Sequence, residues 1–149
     1  MKETILIQET TFERARKEIQ ENKGREIIFS SDDDELNRKV MEKLKVDVLL
    51  LNQSLRKDFQ KQRNSGFNQV LAKIAKKKNI AIGIDLDEII ESKGKNKSDI
   101  LARTKQNIKL CNKNKLKMKF ISEKRKRNLY DLKALGLVLG MNTSLTKTL

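Results

Sequence analysis

Lysines alternate with apolar residues late in the chain, and a run of basic residues follows at once. Residues 115–122 read Lys-Leu-Lys-Met-Lys-Phe-Ile-Ser, and residues 123–127 read Glu-Lys-Arg-Lys-Arg. Successive side chains of a β-strand point to opposite faces, so Lys115, Lys117 and Lys119 would share one face. Three neighbouring lysines repel one another unless water, salt or an anionic partner relieves them. The pattern therefore predicts a strand with one face in the core and one face toward an anionic partner.

A second basic segment lies in a polar stretch that we expect to be a loop, residues 52–64. It carries Arg56, Lys57, Lys61 and Arg63. The whole chain has 34 Lys and Arg against 20 Asp and Glu, a net charge of +14, and a pI near 9.9. Such a pI is typical of nucleic-acid-binding domains. The alternative is a lysine-rich composition of the kind found in products of AT-rich genomes. That alternative explains the lysines better than it explains Arg125 and Arg127.

Several kinds of active site are excluded by composition. The chain has no histidine and one cysteine, Cys111. A His-based catalytic triad and a His-containing zinc or iron site are therefore ruled out. Cys111 follows the apolar spacing of a predicted helix, and we expect it to be a small buried residue. We predict no catalytic residue and no metal ligand in this protein.

One enzymatic alternative uses carboxylates. Residues 80–87 form an apolar strand that ends in Asp85 and Asp87, an arrangement that resembles Asp-based phosphohydrolases of the haloacid dehalogenase type. Such enzymes need further magnesium-binding acids downstream, and after Ser122 the chain offers only Glu123 and Asp131. We therefore favour the interpretation of Asp85 and Asp87 as helix-capping or loop carboxylates at the end of a strand.

Five predicted strands alternate with five predicted helices. We place the strands at residues 4–9, 26–30, 46–51, 80–86 and 115–122. Ser98 is expected to cap the helix before the last strand, and Asn128 the helix after it. Alternation of this kind predicts an α/β fold with a parallel sheet. Both an open doubly wound sheet and part of a (β/α) barrel fit, and in both folds ligands bind at the carboxyl ends of the strands.

We expect a single domain over residues 1–141 and a short, frayed C-terminal tail over residues 142–149. No stretch resembles a signal peptide, and the longest apolar run is too short to cross a bilayer. The sequence thus predicts a cytoplasmic protein.

From residue 46 onward the chain resembles protein component 3 of archaeal ribonuclease P, a family shared with eukaryotes. The resemblance rests on the order and spacing of short motifs over roughly two thirds of the chain. They are Val-Asp-Val-Leu at 46–49, Ser-Gly-Phe-Asn-Gln-Val-Leu-Ala-Lys-Ile-Ala at 65–75, Ile-Ala-Ile at 80–82, Asn-Ile-Lys-Leu at 107–110, Phe-Ile-Ser at 120–122, Asn-Leu-Tyr-Asp-Leu at 128–132 and Leu-Gly-Met at 139–141. Three positions depart from the family pattern: Gln62 replaces a basic residue, Gly83 an acidic one and Leu129 a proline.

The resemblance implies a TIM-barrel-like scaffold subunit. With about five βα units this barrel would be truncated or incomplete, since a full barrel has eight. The family pairs with a small subunit of ferredoxin-like fold, and together they support the catalytic RNA. That RNA, with magnesium, removes the 5′ leader of precursor transfer RNA. A homodimer within a heterotetramer, or a heteromer with the small subunit, would cover the open edge, and Leu129, Leu132, Leu135 and Leu139 are candidates for a partner-facing helix.

The candidate RNA contacts are the basic residues of the two segments. They are Arg56, Lys57, Lys61, Arg63, Lys115, Lys117, Lys119, Lys124, Arg125, Lys126 and Arg127. Lysines and arginines bind phosphates in a salt-dependent way. Aromatic residues make up 4% of the chain, so we do not expect base stacking to dominate. A generic basic RNA-binding scaffold, for example a ribosome-associated protein, remains the alternative.

Overall fold

Residues 2–149 are described by a computed structural model, and within them five strands alternate with seven helices. The elements are β1 Thr4–Gln8, α1 Phe12–Glu21, β2 Glu26–Ser30, α2 Asp34–Lys43, β3 Val48–Leu51, α3 Gln69–Lys78, β4 Ala81–Asp85, α4 Leu86–Glu91, α5 Gly94–Asn114, β5 Met118–Ile121, α6 Leu129–Leu139 and α7 Thr143–Thr146. The predicted alternating α/β fold is confirmed.

The strands form one parallel sheet in the order β1-β2-β3-β4-β5. Each strand therefore pairs with its neighbour in sequence, without the reversal of strand order that defines a doubly wound sheet. Right-handed crossovers in a single direction place all connecting helices on one face. Of the two predicted architectures, the sheet order selects the barrel-like one, with five βα units in the described part.

Apolar residues pack on both faces of the sheet. On the helical side, Phe29, Leu49 and Ile82 belong to a large core that includes the buried faces of the helices. On the other side, Ile28, Val48, Leu50 and Ala81 form a smaller core built from strand residues within the described range. A near-continuous apolar run is what a strand with two covered faces requires, and the predicted core positions of β3 and β4 are confirmed.

The sheet curls toward its helix-free face. Lys119 on β5 forms an ion pair with Glu26 on β2, with 2.6 Å between Nζ and Oε1. Two strands separate β2 from β5 in the sheet order, so in a flat sheet the two would lie about 14 Å apart. The two side chains can bring their charged atoms within 2.6 Å of each other only if the sheet is strongly curved, as in the wall of a barrel.

The prediction of a frayed tail after Met141 is wrong. Helix α7 begins after Asn142, whose side chain accepts a hydrogen bond from the amide of Leu145, and Leu145 is buried. Thr148 Oγ1 accepts a hydrogen bond from the Met118 amide at 3.0 Å. The tail is ordered because Leu145 joins the main core and Thr148 binds the start of β5.

Two local predictions at helix starts had different outcomes. Asn128 caps α6, accepting from the Asp131 amide at 2.9 Å, as predicted. Ser98 instead lies inside α5, which begins at Gly94 after Lys93.

Cys111 is fully buried as predicted, and burial raises the pKa of its thiol to about 12. Between residues 2 and 149 no helix is both long and apolar enough to cross a bilayer.

Candidate nucleic-acid interface

An open cleft of about 690 Å³ lies at the carboxyl ends of the strands, where barrel-like folds place their ligands. Its floor includes Leu6, Leu50 and Ile121, from β1, β3 and β5. Its wall contains many of the acidic residues of this basic protein: Asp32, Asp85, Asp87, Glu88, Glu91 and Glu123. Residues 85–88, which are the last residue of β4 and the first turn of α4, supply three of these carboxylates, and we call this segment the acidic turn.

Asp87 in the acidic turn fixes the loop that follows β5. Its carboxylate accepts four hydrogen bonds, from the Ser122 hydroxyl at 2.7 Å and from the amides of Glu123, Lys124 and Arg125 at 2.9, 3.0 and 2.8 Å. Partial desolvation alone would raise the pKa of Asp87, but these hydrogen bonds outweigh it and lower the pKa to about 2. The carboxylate is therefore ionised at neutral pH and holds the start of the basic run in one conformation.

Glu88 in the acidic turn fixes the loop that follows β3. Its carboxylate accepts from the Gln53 amide at 2.8 Å and from the Ser54 amide. Desolvation by burial raises the pKa of Glu88, although the hydrogen bonds from residues 53 and 54 oppose that shift. Because Asp87 and Glu88 are adjacent in sequence, one short segment anchors both basic loops beside the same cleft.

Asp85 caps the helix that the acidic turn begins. Its side chain accepts from the Glu88 amide at 3.1 Å, and burial raises its pKa. The predicted helix-capping role is thus confirmed for Asp85, and the binding of the loop after β5 by Asp87 is a finding of the structure. In the part of the chain that the structure describes, no cluster of three or more His, Cys, Asp or Glu side chains is arranged to hold a metal ion.

A buried arginine that the sequence analysis missed fixes the 53–58 segment from the other side. Arg103 on α5 is 4% exposed and donates to the carbonyls of Gln53 and Arg56 at 2.8 and 2.9 Å. It also binds the Asp58 carboxylate at 2.9 Å, which is the main reason why the pKa of Asp58 is lowered. The sequence does contain a sign of this burial, because Arg103 falls on the same helix face as Ile100, Thr104 and Asn107.

Two of the four cations predicted to bind RNA in the 52–64 loop are engaged within the protein. Arg56 forms two hydrogen bonds to the Asp34 carboxylate at 2.8 Å, and its side chain is only 10% exposed. Its guanidinium lies against Gly66, at a φ of +76°, where a Cβ would overlap it. Arg56 is therefore held within the protein by Asp34, and its contact with RNA stays a prediction. Arg63 is half exposed and lies 3.4 Å from Asp58.

The lysines around β5 do not form one basic face, which corrects the first sequence interpretation. Lys115 ends α5 in a left-handed conformation, with φ of 55°, and precedes the strand. Lys117 is exposed and comes just before β5. Lys119 lies on β5 and forms the ion pair with Glu26, so its charge is engaged within the protein, and its RNA contact stays a prediction. Lys115 and Lys117 lie at the opposite end of β5 from the basic run.

The remaining predicted residues are exposed and lie on the two anchored loops. Lys124, Arg125, Lys126 and Arg127 follow β5, and Lys57 and Lys61 follow β3. Arg125 Nε lies 3.8 Å from Oε1 of Glu91. We call residues 124–127 the basic loop. Its four residues are consecutive exposed cations, and Asp87 holds the amides of the first two. Such a segment is suited to contact a phosphate backbone.

The predicted partner-facing leucines of α6 mostly pack inward. Leu139 is buried and Leu135 packs against the main core. Leu129, a member of the predicted set, is 48% exposed, and the other exposed large apolar residues of α6 are Tyr130, Leu137 and Val138, of which Tyr130 and Val138 are 85% and 79% exposed. The exposed apolar surface of α6 therefore includes Leu129 from the prediction, together with three residues that the prediction did not name.

Comparisons with known proteins give one consistent result. Over 87 residues the chain is 34% identical to Ribonuclease P protein component 3 of Methanosarcina acetivorans. Over 108 residues, 72% of this chain, it is 32% identical to the same component of Methanosarcina mazei. The predicted resemblance to ribonuclease P protein component 3 is confirmed. The aligned regions cover 34% and 41% of those relatives, so the chain spans well under half of their length. No protein-family model matches the chain.

A solved structure supports the same fold. A chain in a cryo-EM structure of archaeal ribonuclease P with mature transfer RNA superimposes with a TM-score of 0.78, at 21% sequence identity. The superposition covers 97% of this chain and 64% of that chain. The parallel α/β fold described above is therefore shared with a chain of that structure.

Proposed function

We propose that this chain is an RNA-binding protein subunit of ribonuclease P and supports the catalytic RNA in removing the 5′ leader of precursor transfer RNA. The observation that carries the proposal is the identity of 32–34% to curated component 3 proteins. The likeness in fold to a chain of archaeal ribonuclease P supports it. The exposed basic loop supplies the chemistry that such a role needs.

The chain contributes to an endoribonuclease without a protein active site of its own. Cleavage in this proposal belongs to the RNA, with its magnesium ions. The three carboxylates of the acidic turn serve structure: Asp85 caps α4, and Asp87 and Glu88 bind loop amides. Because Asp87 already accepts four hydrogen bonds, it has little capacity left to act as a nucleophile or a proton carrier.

The basic loop is the proposed principal RNA contact. Arginines can engage two phosphate oxygens at once, whereas lysines act as point charges. Asp87 orders the backbone of residues 123–125 before RNA arrives, so less conformational entropy is lost on binding. Lys57 and Lys61, exposed on the loop that follows β3, are proposed as additional RNA contacts.

The partners in this proposal are ribonuclease P RNA, precursor transfer RNA and the small subunit of ferredoxin-like fold. Exposed Tyr130 and Val138 on α6 provide apolar area of the kind that such a partner would bury. A homodimer within a heterotetramer is the proposed larger arrangement.

Binding to ribonuclease P RNA tests the RNA contact. A variant with Lys124, Arg125, Lys126 and Arg127 all changed to Gln lowers the net charge by four. A control with Lys17, Lys23, Lys43 and Lys45 changed to Gln makes the same charge change at exposed positions on and after α1 and α2. We expect the first variant to make the slope of log K against log salt shallower by about 3, since each phosphate contact contributes roughly 0.7–0.9. Equal slopes for the two variants would contradict the proposed contact.

A further inference from the structure

A second groove, of about 640 Å³, lies between the 59–69 segment and the helices α2, α3 and α5. It opens beside the helical layer, and its lining residues are not those of the cleft at the carboxyl ends of the strands, which borders the basic loop. The groove combines an exposed aromatic side chain, Phe59, with side-chain amides and with cations of α5. None of these residues belongs to the predicted RNA contacts except Arg63.

The cations form a regular row. Lys105, Lys109 and Lys113 on α5 are exposed and four residues apart. At 1.5 Å per residue they share one helix face at steps of about 6 Å. In residues 2–149 none of the three lies within ion-pair distance of a carboxylate. Two acids line the groove, Asp34 and Glu35, but Asp34 is already neutralised by Arg56.

Phe59 supplies the stacking surface. Its side chain is 59% exposed, in a protein whose other phenylalanines are buried or partly buried. Gln62, which lines the groove with it, carries an amide that can donate to and accept from a base edge. Asn68 also lines the groove; its oxygen caps α3 by accepting from the Leu71 amide, and its NH2 group can donate to a base. Base stacking on an aromatic side chain, combined with neighbouring cations, is the recurring way in which proteins bind single-stranded RNA.

The walls of the groove are fixed by hydrogen bonds among side chains and backbone amides. Gln69 on α3 and Asn114 on α5 exchange two hydrogen bonds, at 2.8 and 3.0 Å. Asp58, held by Arg103, accepts from the Asn64 amide at 3.0 Å and so closes the 58–64 segment. A groove with ordered walls binds its ligand at a lower entropic cost.

We propose that this groove binds a single-stranded RNA segment, with one unpaired base stacked on Phe59 and the following phosphates on Lys109 and Lys113. The row of lysines on α5 favours an anionic polymer as the ligand. The exposed ring of Phe59 favours an unstacked base over the stacked bases of a regular duplex. The inference deepens the RNA-binding part of the proposed function and rests on it. It adds a contact on the helical face, away from the basic loop.

The test uses the full chain and a ten-nucleotide oligouridylate carrying 4-thiouridine and a fluorophore. It is performed in the variant with the basic loop neutralised, so that the basic loop does not contribute. We expect Phe59→Ala to weaken binding at least about fivefold. We expect Lys109→Gln with Lys113→Gln to make the salt slope shallower by about 1.4. Lys17→Gln with Lys23→Gln is the matched control and should leave both values unchanged. Light-induced crosslinks, mapped by mass spectrometry, should fall on residues 59–69 and on α5.

The proposal is overturned if Phe59→Ala binds as tightly as its parent and crosslinks avoid the groove, the result expected if an acidic polypeptide occupies it instead. Thermal unfolding of each variant excludes loss of fold as the cause of weaker binding. The assay contains no ribonuclease P RNA, so failure of the chain in a ribonuclease P reconstitution would leave this result readable on its own.

Discussion

Replacing Asp87 by Asn should loosen the basic loop and lower the stability of the protein. Asparagine keeps one carbonyl oxygen but turns an NH2 group toward amides that now donate to a carboxylate, so at least two of the four hydrogen bonds are lost. The pKa of Asp87 falls from 3.8 to about 2, a gap that corresponds to about 2.4 kcal/mol if fully expressed. Solvent screening at this partly exposed site reduces it to about 1 kcal/mol. With the lost hydrogen bonds, we expect a cost of about 1–2 kcal/mol at pH 7.

The pH dependence has a definite sign. Since folding lowers the pKa of Asp87, the stabilisation is fully present above about pH 4 and is lost as the pH falls toward about 2. The difference between the wild type and Asp87→Asn in urea unfolding should therefore shrink between pH 5 and about pH 2. Asp32→Asn is the matched control, because Asp32 lines the same cleft but is not among the acceptors of this loop.

Hydrogen exchange reports the loop directly. The amides of Glu123, Lys124 and Arg125 donate to Asp87, so they should exchange slowly in the wild type and much faster in Asp87→Asn. RNA binding should weaken in the same variant, although no cation is removed. Unchanged exchange at these three amides, with unchanged urea midpoints, would refute the reasoning that Asp87 orders the basic loop.

Three further substitutions test other contacts. Lys119→Met breaks the partly exposed ion pair to Glu26. It should lower the free energy of unfolding in urea at pH 7 by about 0.5–1 kcal/mol and leave RNA affinity unchanged. A large loss of RNA affinity with unchanged stability would instead indicate that Lys119 contacts RNA. Arg103→Met removes the side-chain donor to the Arg56 carbonyl and one of the two donors to the Gln53 carbonyl. It also leaves the Asp58 carboxylate without its main partner, and it should cost about 2–4 kcal/mol, with faster proteolysis within residues 53–64. A protease pattern like that of the wild type would contradict its anchoring role. Gly83→Val adds a side chain where even a Cβ atom would come within 3.1–3.3 Å of Val48, Leu50 and Ile121. It should lower the free energy of unfolding by about 1–3 kcal/mol. A neutral effect on thermal unfolding would show that the inner core is loosely packed.

The sequence predicted the sheet well because its strands are apolar on both faces. Val48–Leu51 and Ala81–Asp85 were recognisable as continuous apolar runs, and such runs occur where both faces of a parallel sheet are covered. Strand order was not accessible from these runs, because each reads the same in a doubly wound sheet and in a barrel. The hydrogen-bonded order of the five strands decided it.

The site was predicted less completely, since charge alone does not show which cations are already engaged. Lys119 and Glu26 are 93 positions apart in the chain, and nothing in the local pattern of either residue indicates the pair. Arg56 likewise looks like its exposed neighbour Lys57 until Asp34 is seen beside it. Arg103 is different, because a cation on the apolar face of a predicted helix is a readable sign of a buried contact.

Reconstituted cleavage of precursor transfer RNA tests the central claim most directly. The cognate ribonuclease P RNA and the small ferredoxin-like subunit would be assayed at moderate magnesium with and without this chain, and with the variant that has residues 124–127 changed to Gln. If the chain is a subunit of ribonuclease P, adding it should increase the cleavage rate greatly. The variant at residues 124–127 should lose most of this rate gain. The control variant at Lys17, Lys23, Lys43 and Lys45 should keep the gain. No gain from a folded chain that still binds RNA would contradict the subunit role and leave a generic basic RNA-binding scaffold.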